Sequence, residues 1–494
     1  MTAGALGEPR PARFSWAAVA PAGAALLVAL AATANLYGYH RDELYFRVLP
    51  RASGYVDQPP LTPWLARTFS EVIADEPWAL RIPAVIAAVA TVFVVALVAR
   101  EVGGGALAQG LAAWGYGFGV FPLLFGHVFL TTSLDLLVWP LVTLFILRAV
   151  LRGEGRWWLL AGLVVGLSLN NKLLIVLLLA AVAIGLAVAG PRRVFRTPWP
   201  YLALAVAVVA GAPAILYQLL NGLPQLTMGA ALSAENGGEV RTLMWPFLAL
   251  LIGPSLVVFW VVGLIALFRR PGWRTLRFLA VAFLVLLVLV FASGSQFYYP
   301  LGLLSVVFAI GCVPIADWAR TRGRRAVAIA AVALNAVVSI LISLPVVPLG
   351  MLGTTPIPAM NQAVADQVGW PRYVEQVERV AAEARATDAG TIVLASNYGE
   401  AGALDRFGSE ALPPVYSGHN ALADGAPPPP ETRTVVVVGG QYGWVRSEFA
   451  NCEVVDRFDN GVDVDNEEQG EPIAVCRDPL RPWSAVWTRL AHLS

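Results

Sequence analysis

Tyr37-Gly-Tyr-His-Arg-Asp-Glu-Leu-Tyr45 closes the first apolar block of the chain and sets Asp42 and Glu43 where hydrocarbon would give way to water. Carboxylates at that depth are costly and usually face a cavity, although an acidic pair also marks a plain exit to solvent. A second carboxylate, Asp135, follows in Gly126-His-Val-Phe-Leu-Thr-Thr-Ser-Leu-Asp-Leu-Leu137 at a matching depth. Thr132 or Ser133 is expected to cap that helix, with Asp135 in its first turn. Lys172, the only lysine, stands in an Asn-Asn-Lys turn, where an ammonium could snorkel to headgroups or neutralise a phosphate. Arg241 is a weaker candidate for the same task. Gly54-Tyr-Val-Asp-Gln-Pro-Pro-Leu-Thr-Pro-Trp64 is held out of helix by its prolines and so fixes Asp57 and Gln58 in a loop. A carboxylate base, a cation and a bilayer-level cavity suit transfer from a lipid phosphate carrier to a hydroxyl acceptor. The same parts suit a proton-coupled transport path or a lipid-handling protein, and spacing alone does not choose.

The elements that must position these residues are mostly membrane helices. Of 494 residues, 57% are hydrophobic and 14% charged, against roughly 25% charged in soluble domains. Apolar blocks of membrane-spanning length recur near 16–39, 81–99, 106–122, 134–150, 157–170, 173–190, 199–220, 244–268, 277–293, 299–316 and 326–346. The first runs too long for a cleaved leader and reads as a span. These features predict a polytopic α-helical membrane protein of about eleven spans. Arginines cluster on alternate loops, around 100, 148–156, 192–196, 269–277 and 320–325, which the positive-inside rule makes cytoplasmic. The N-terminus is then expected inside, and the first long loop, about 40–80, outside. External turns are also expected near 123–133, 170–172, 221–243 and 293–299.

Charge divides the chain as well. Residues 1–350 carry 24 basic and 13 acidic side chains, and residues 351–494 carry 10 and 20. The predicted domains are therefore a membrane domain over 1–349, including the 40–80 loop, and a solvated, extracytoplasmic α/β domain over 350–494. Within the latter, helical spacing covers 361–387, and β-rich runs lie at Thr391–Ala395, Thr434–Val438 and Pro472–Cys476. Pro427–Pro430 reads as a stiff spacer. Cys452 and Cys476 could pair in an oxidising compartment or stay as thiols. No internal repeat, P-loop or zinc-type CxxC is present.

His40-Arg-Asp-Glu-Leu-Tyr-Phe, Gly54-Tyr-Val-Asp-Gln-Pro-Pro-Leu, Thr-Ser-Leu-Asp135 and Asn171-Lys172-Leu together resemble the GT-C superfamily of polytopic glycosyltransferases. The chain looks most similar to bacterial family 39, the branch related to protein O-mannosyltransferases and the aminoarabinose transferase of lipid A modification. Asn397-Tyr-Gly-Glu-Ala-Gly-Ala, Ser417-Gly-His-Asn and Asn466-Glu-Glu-Gln-Gly look like blocks of that group's external domain. The resemblance implies a polyprenyl-phosphate sugar donor and inversion at the anomeric carbon on the extracytoplasmic face of the bacterial inner membrane. The acceptor would be an envelope glycolipid, polysaccharide or protein, and no nucleic acid is implicated.

By motif position, Asp42 would be the base, Glu43 its neighbour and Asp135 the second acidic residue. Lys172 would contact the donor phosphate, with Asp57, Gln58, His40 and Arg241 as further donor-side residues. Gln58 departs from many relatives, which carry His or Lys before the Pro-Pro pair; Lys172, His40 or Arg241 must then supply the charge. Asn397, Tyr398, Glu400, His419 and Asn420 are expected to bind the acceptor or dock the tail. Some superfamily members use a divalent cation, and Asp42, Asp135, His40 and His127 could supply ligands, but their spacing assigns none.

Overall fold

The computed structural model describes residues 10–294 and 296–493, apart from the side chain of Glu235. Contacts divide them into two units. A helical unit contains residues up to Thr33, Gln58–Leu61 and Arg81–Leu344; a sheet unit contains Ala34–Asp57, Thr62–Leu80 and residues from Pro345 onward.

In the helical unit, six helices among the described residues are long and apolar enough to cross a membrane: Trp16–Thr33, Ile82–Glu101, Thr131–Arg152, Pro271–Ser293, Leu301–Trp318 and Arg322–Ser343. Two bent pairs raise this to eight, and Gly155–Leu169 and Ile175–Ala189 are shorter apolar helices. The chain is a multi-pass membrane protein. The expected 199–220 span bends by 66° between Trp199–Ala210 and Ala212–Leu220, because Pro213 cannot donate to the preceding turn. The 244–268 span bends by 72° across Gly253-Pro254. The 221–243 stretch, expected as a loop, is instead largely the start of helix Pro224–Leu250. The first span stops at Thr33, short of the expected residue 39.

Small residues let these helices approach closely. A Cβ on Gly311 would collide with the Phe259 carbonyl, and one on Gly263 with the Val307 carbonyl, so helices Val257–Arg269 and Leu301–Trp318 meet backbone to backbone. Glu101 is fully buried at the end of its helix and is held by Arg148 Nε at 3.0 Å and Arg152 Nη2 at 2.5 Å. A buried carboxylate requires such partners. This pins the arginine-rich end of helix Thr131–Arg152, opposite the end that carries Asp135.

The sheet unit contains a five-stranded sheet of order β2-β1-β3-β5-β4. Its strands are β1 (Ile392–Ala395), β2 (Val415–Ser417), β3 (Thr434–Val438), β4 (Phe449–Arg457) and β5 (Pro472–Pro479). β2, β1 and β3 run parallel, and β5 and β4 join antiparallel. Ile392, Leu394, Val435 and Val437 pack against Trp483, Val486 and Leu490 of the last helix. Cys452 and Cys476 face each other across β4 and β5 and form a disulfide.

The 40–80 loop departs from its expected grouping with the membrane domain, since most of it packs with the tail. The physical reason lies in Asn397-Tyr-Gly-Glu-Ala-Gly-Ala. Helix Arg41–Val48 rests on helix Tyr398–Phe407, where a Cβ on Gly399 would meet Arg41 Cβ at 2.8 Å and one on Gly402 would meet the Leu44 backbone at 2.6 Å. Glycine at both positions is what lets the loop helix settle there.

Candidate active site

In the sheet unit, polar residues gather at the carboxyl ends of the three parallel strands, the edge where open α/β sheets commonly bind ligands. Ser396, Asn397 and Tyr398 follow β1, His419 and Asn420 follow β2, and Gln441 follows β3. Glu400 is buried, and its Oε2 accepts from the backbone N–H groups of Ser396 (2.7 Å) and Asn397 (3.2 Å). Asn397 Oδ1 accepts in turn from Glu400 N at 2.9 Å. This reciprocal capping box fixes the start of helix Tyr398–Phe407.

That turn delivers Tyr398 to the loop. The Tyr398 hydroxyl donates to Asp42 Oδ1 at 2.9 Å. Its ring stacks on Tyr45, with centroids 4.6 Å apart, and lies 4.6 Å from His419 and 5.1 Å from the Arg41 guanidinium. His419 Nδ1 accepts from Tyr398 N at 3.2 Å. Of the five residues expected at an acceptor site, Glu400, His419 and Asn420 are buried. Asn397 and Tyr398 are the partly exposed ones.

Asp42 lies in the first turn of helix Arg41–Val48, and His40 is its N-cap. His40 Nδ1 accepts from Asp42 N at 3.1 Å, and Glu43 Oε2 accepts from His40 N at 2.8 Å. Glu43 is fully buried. These bonds give His40 and Glu43 the local task of starting the helix that carries Asp42. Behind them, Arg41 pairs with Glu467, and His40 Nε2 lies 3.7 Å from Asp366 Oδ2. Burial raises the carboxyls of Asp366 and Glu400, and takes Glu468 to about 7 against the pull of Arg41. Asp57 also rises to about 7, chiefly through desolvation; a hydrogen bond from Tyr45 opposes the shift, and the charges of Asp42 and Asp424 add to it.

In the helical unit, helix Thr131–Arg152 starts earlier than expected. Ser133 Oγ accepts from Leu130 N at 2.9 Å and donates to Val128 O at 2.8 Å. Asp135 consequently sits in the second turn rather than the first. It is buried: Oδ1 accepts from Asn171 Nδ2 at 3.4 Å, and Oδ2 has no hydrogen-bond partner among the described residues. Lys172 Nζ donates to Thr132 Oγ1 at 3.1 Å and lies 5.8 and 5.1 Å from the Tyr298 and Tyr299 rings. Asp135, Thr132 and both tyrosines line one small cavity. Gln58 is buried in this unit, and Asp57 belongs to the other.

Arg241 has a different engagement from the one expected. Its Nε donates to Phe291 O at 3.1 Å, so it caps the C-terminal carbonyls of helix Arg277–Ser293. Sequence reasoning passed over Arg81, a fully buried arginine whose Nη1 lies 3.3 Å from His127 Nε2. Its signal was a lone cation heading an apolar block. Among the described residues, no group of three or more His, Cys, Asp or Glu side chains is placed to hold a metal ion.

The model of the dolichyl-phosphate-mannose-protein mannosyltransferase family matches residues 57–217, a stretch that holds Asp57, Gln58, Asp135 and Lys172. The fold is similar to ArnT from Cupriavidus metallidurans bound to undecaprenyl phosphate, with a TM-score of 0.54 and 15% identity over 94% of this chain and 98% of that one. The apo form of the same protein gives a TM-score of 0.56 and 14% identity over 92% and 97%. The chain shares the fold of these structures. Like them, it is built as a helical membrane unit with a small C-terminal sheet. The structural likeness carries the fold. No curated protein matches the chain in sequence.

Proposed function

We propose that this chain is a GT-C glycosyltransferase that moves a hexosyl or pentosyl group from a polyprenyl-phosphate carrier to a hydroxyl acceptor, with inversion. The observation that carries the reading is Asp42, a partly exposed carboxylate held on one oxygen by Tyr398. Among the described residues, no hydrogen bond reaches its Oδ2. In the proposed step Asp42 Oδ2 takes the acceptor's hydroxyl proton as that oxygen bonds to the anomeric carbon. The bond from anomeric carbon to phosphate oxygen breaks, and its electron pair leaves with the polyprenyl phosphate.

Lys172 would hold the donor's phosphate, gripping it equally in the ground state and in the transition state. Asp135 and Asn171 would orient the donor's sugar hydroxyls, and Asp57 and Gln58 would form the loop beside the donor. Arg81 takes the place of Arg241 as the second donor-side cation, because Arg241 is committed to a helix end. Acceptor approach would pass Asn397 and Tyr398, the partly exposed members of the strand-end cluster. The undecaprenyl phosphate held by the structurally similar ArnT supports a carrier of this chemical class.

We further propose an inner-membrane protein with its N-terminus inside and its sheet outside. The alternation of arginine-rich loops supports this, as does the disulfide between β4 and β5, which suits an oxidising compartment. The reaction is tested by reconstituting the protein in vesicles and supplying a panel of radiolabelled polyprenyl-phosphate sugars with a crude envelope acceptor. Transfer of one sugar is the expected result. Carrier binding without transfer across the whole panel would favour a lipid-handling protein instead.

A further inference from the structure

We infer that Tyr398 is a positioning residue for Asp42, contributed to the reaction by the C-terminal sheet, rather than a residue that binds the acceptor. The inference rests on Asp42 being the base. Three observations carry it. The Tyr398 hydroxyl donates to Asp42 Oδ1 at 2.9 Å across 356 residues of sequence. Its ring is clamped by stacking on Tyr45 at 4.6 Å, by Arg41 at 5.1 Å and by the His419 ring at 4.6 Å. Its backbone N–H is fixed by His419 Nδ1 at 3.2 Å, on a turn already locked by the Asn397–Glu400 capping box.

A side chain meant to greet a variable acceptor needs a free polar end, and here the polar end is spent on the carboxylate. A hydroxyl that pins Oδ1 removes rotation about the Asp42 side chain and aims Oδ2 in one direction. Such alignment raises the rate of proton transfer without adding affinity for either substrate. Gly399 and Gly402 belong to the same device, since they bring helix Arg41–Val48 close enough for the bond to form.

The test is Tyr398→Phe in the full chain, reconstituted in vesicles and assayed beside Asp42→Asn with the donor the wild type uses. Phenylalanine keeps the stacked ring and removes only the hydroxyl. The inference predicts that kcat falls roughly 10- to 100-fold, the scale of one hydrogen bond to a charged group, with KM for donor and acceptor within about twofold of the wild type. A raised acceptor KM with unchanged kcat would overturn it in favour of acceptor binding. Wild-type kinetics in Tyr398→Phe beside an inactive Asp42→Asn would also overturn it while leaving the base assignment intact. Full activity in Asp42→Asn would remove the base assignment itself, and the inference with it. Thermal unfolding of Tyr398→Phe close to the wild type separates a kcat loss from misfolding; a fall in folded fraction that accounts for the whole loss would count against the inference.

Discussion

The sheet unit and the helical unit set their candidate carboxylates in different surroundings. Asp42 receives a hydrogen bond from Tyr398 and sits on a helix whose first turn is capped by His40 and Glu43. Asp135 also accepts one hydrogen bond, a longer one of 3.4 Å from Asn171, but where Asp42 is partly exposed Asp135 is buried in an apolar helix and lines a cavity with the tyrosines that flank Lys172. A proton acceptor works best when it is aimed in advance by a short bond and still open to its substrate, whereas a carboxylate buried beside a cation suits the grip of an incoming ligand. On the proposed reading, direction falls to the sheet unit and grip to the helical unit.

The largest effect that could break this division is on turnover. Asp42→Asn should lower kcat by about 10²- to 10⁴-fold, the usual range for general base catalysis, while the variant still binds polyprenyl phosphate in a lipid-exchange assay. Next, removing the disulfide with Cys452→Ala/Cys476→Ala should destabilise the sheet unit alone by about 3 kcal/mol, the entropy expected for a closed loop of this length. Two separate transitions on calorimetry of the purified protein, only the sheet transition moving, would bear the division out. Lys172→Gln should weaken polyprenyl-phosphate binding by roughly 10- to 100-fold and leave the Tm of the sheet transition unchanged.

The last effect is a pH slope. Asp57, at about 7 when folded against an ordinary 3.8, holds its proton in the folded state after the unfolded chain has lost it. Stability should therefore fall as pH rises from about 4 to about 7, by at most roughly 1.4 kcal/mol per pH unit for one proton. Asp57→Asn should flatten that part of the stability–pH curve and gain most over the wild type above pH 7.

Much of this is legible in the sequence alone. Val435–Val438 and Ile392–Leu394 are continuous apolar runs, as strands buried on both faces must be, and both were read correctly. β4 escaped because it is an edge strand whose residues are mostly exposed, so Glu453, Asp456 and Arg457 hide its pattern. β2 is three residues long and leaves too short a signal. The bends at Gly211–Pro213 and Gly253–Pro254 were visible as residues, but an apolar window of 20 or so runs across them. Among site residues, Asp42, Asp135 and Lys172 stood out because charge in an apolar setting is conspicuous. Arg81 did not, since a cation at a helix end resembles ordinary snorkelling. The Asp42–Tyr398 bond could not be read at all: nothing local in either segment points to a partner so far away in the chain.

The division of labour is tested most directly by measuring donor binding and sugar transfer side by side in vesicles for wild type, Asp42→Asn and Lys172→Gln. The account predicts a double dissociation: Asp42→Asn binds polyprenyl phosphate like the wild type but transfers almost no sugar, and Lys172→Gln binds weakly yet transfers near the wild-type kcat once donor is saturating. Transfer by Asp42→Asn at the wild-type rate, or undiminished carrier binding by Lys172→Gln, would contradict it.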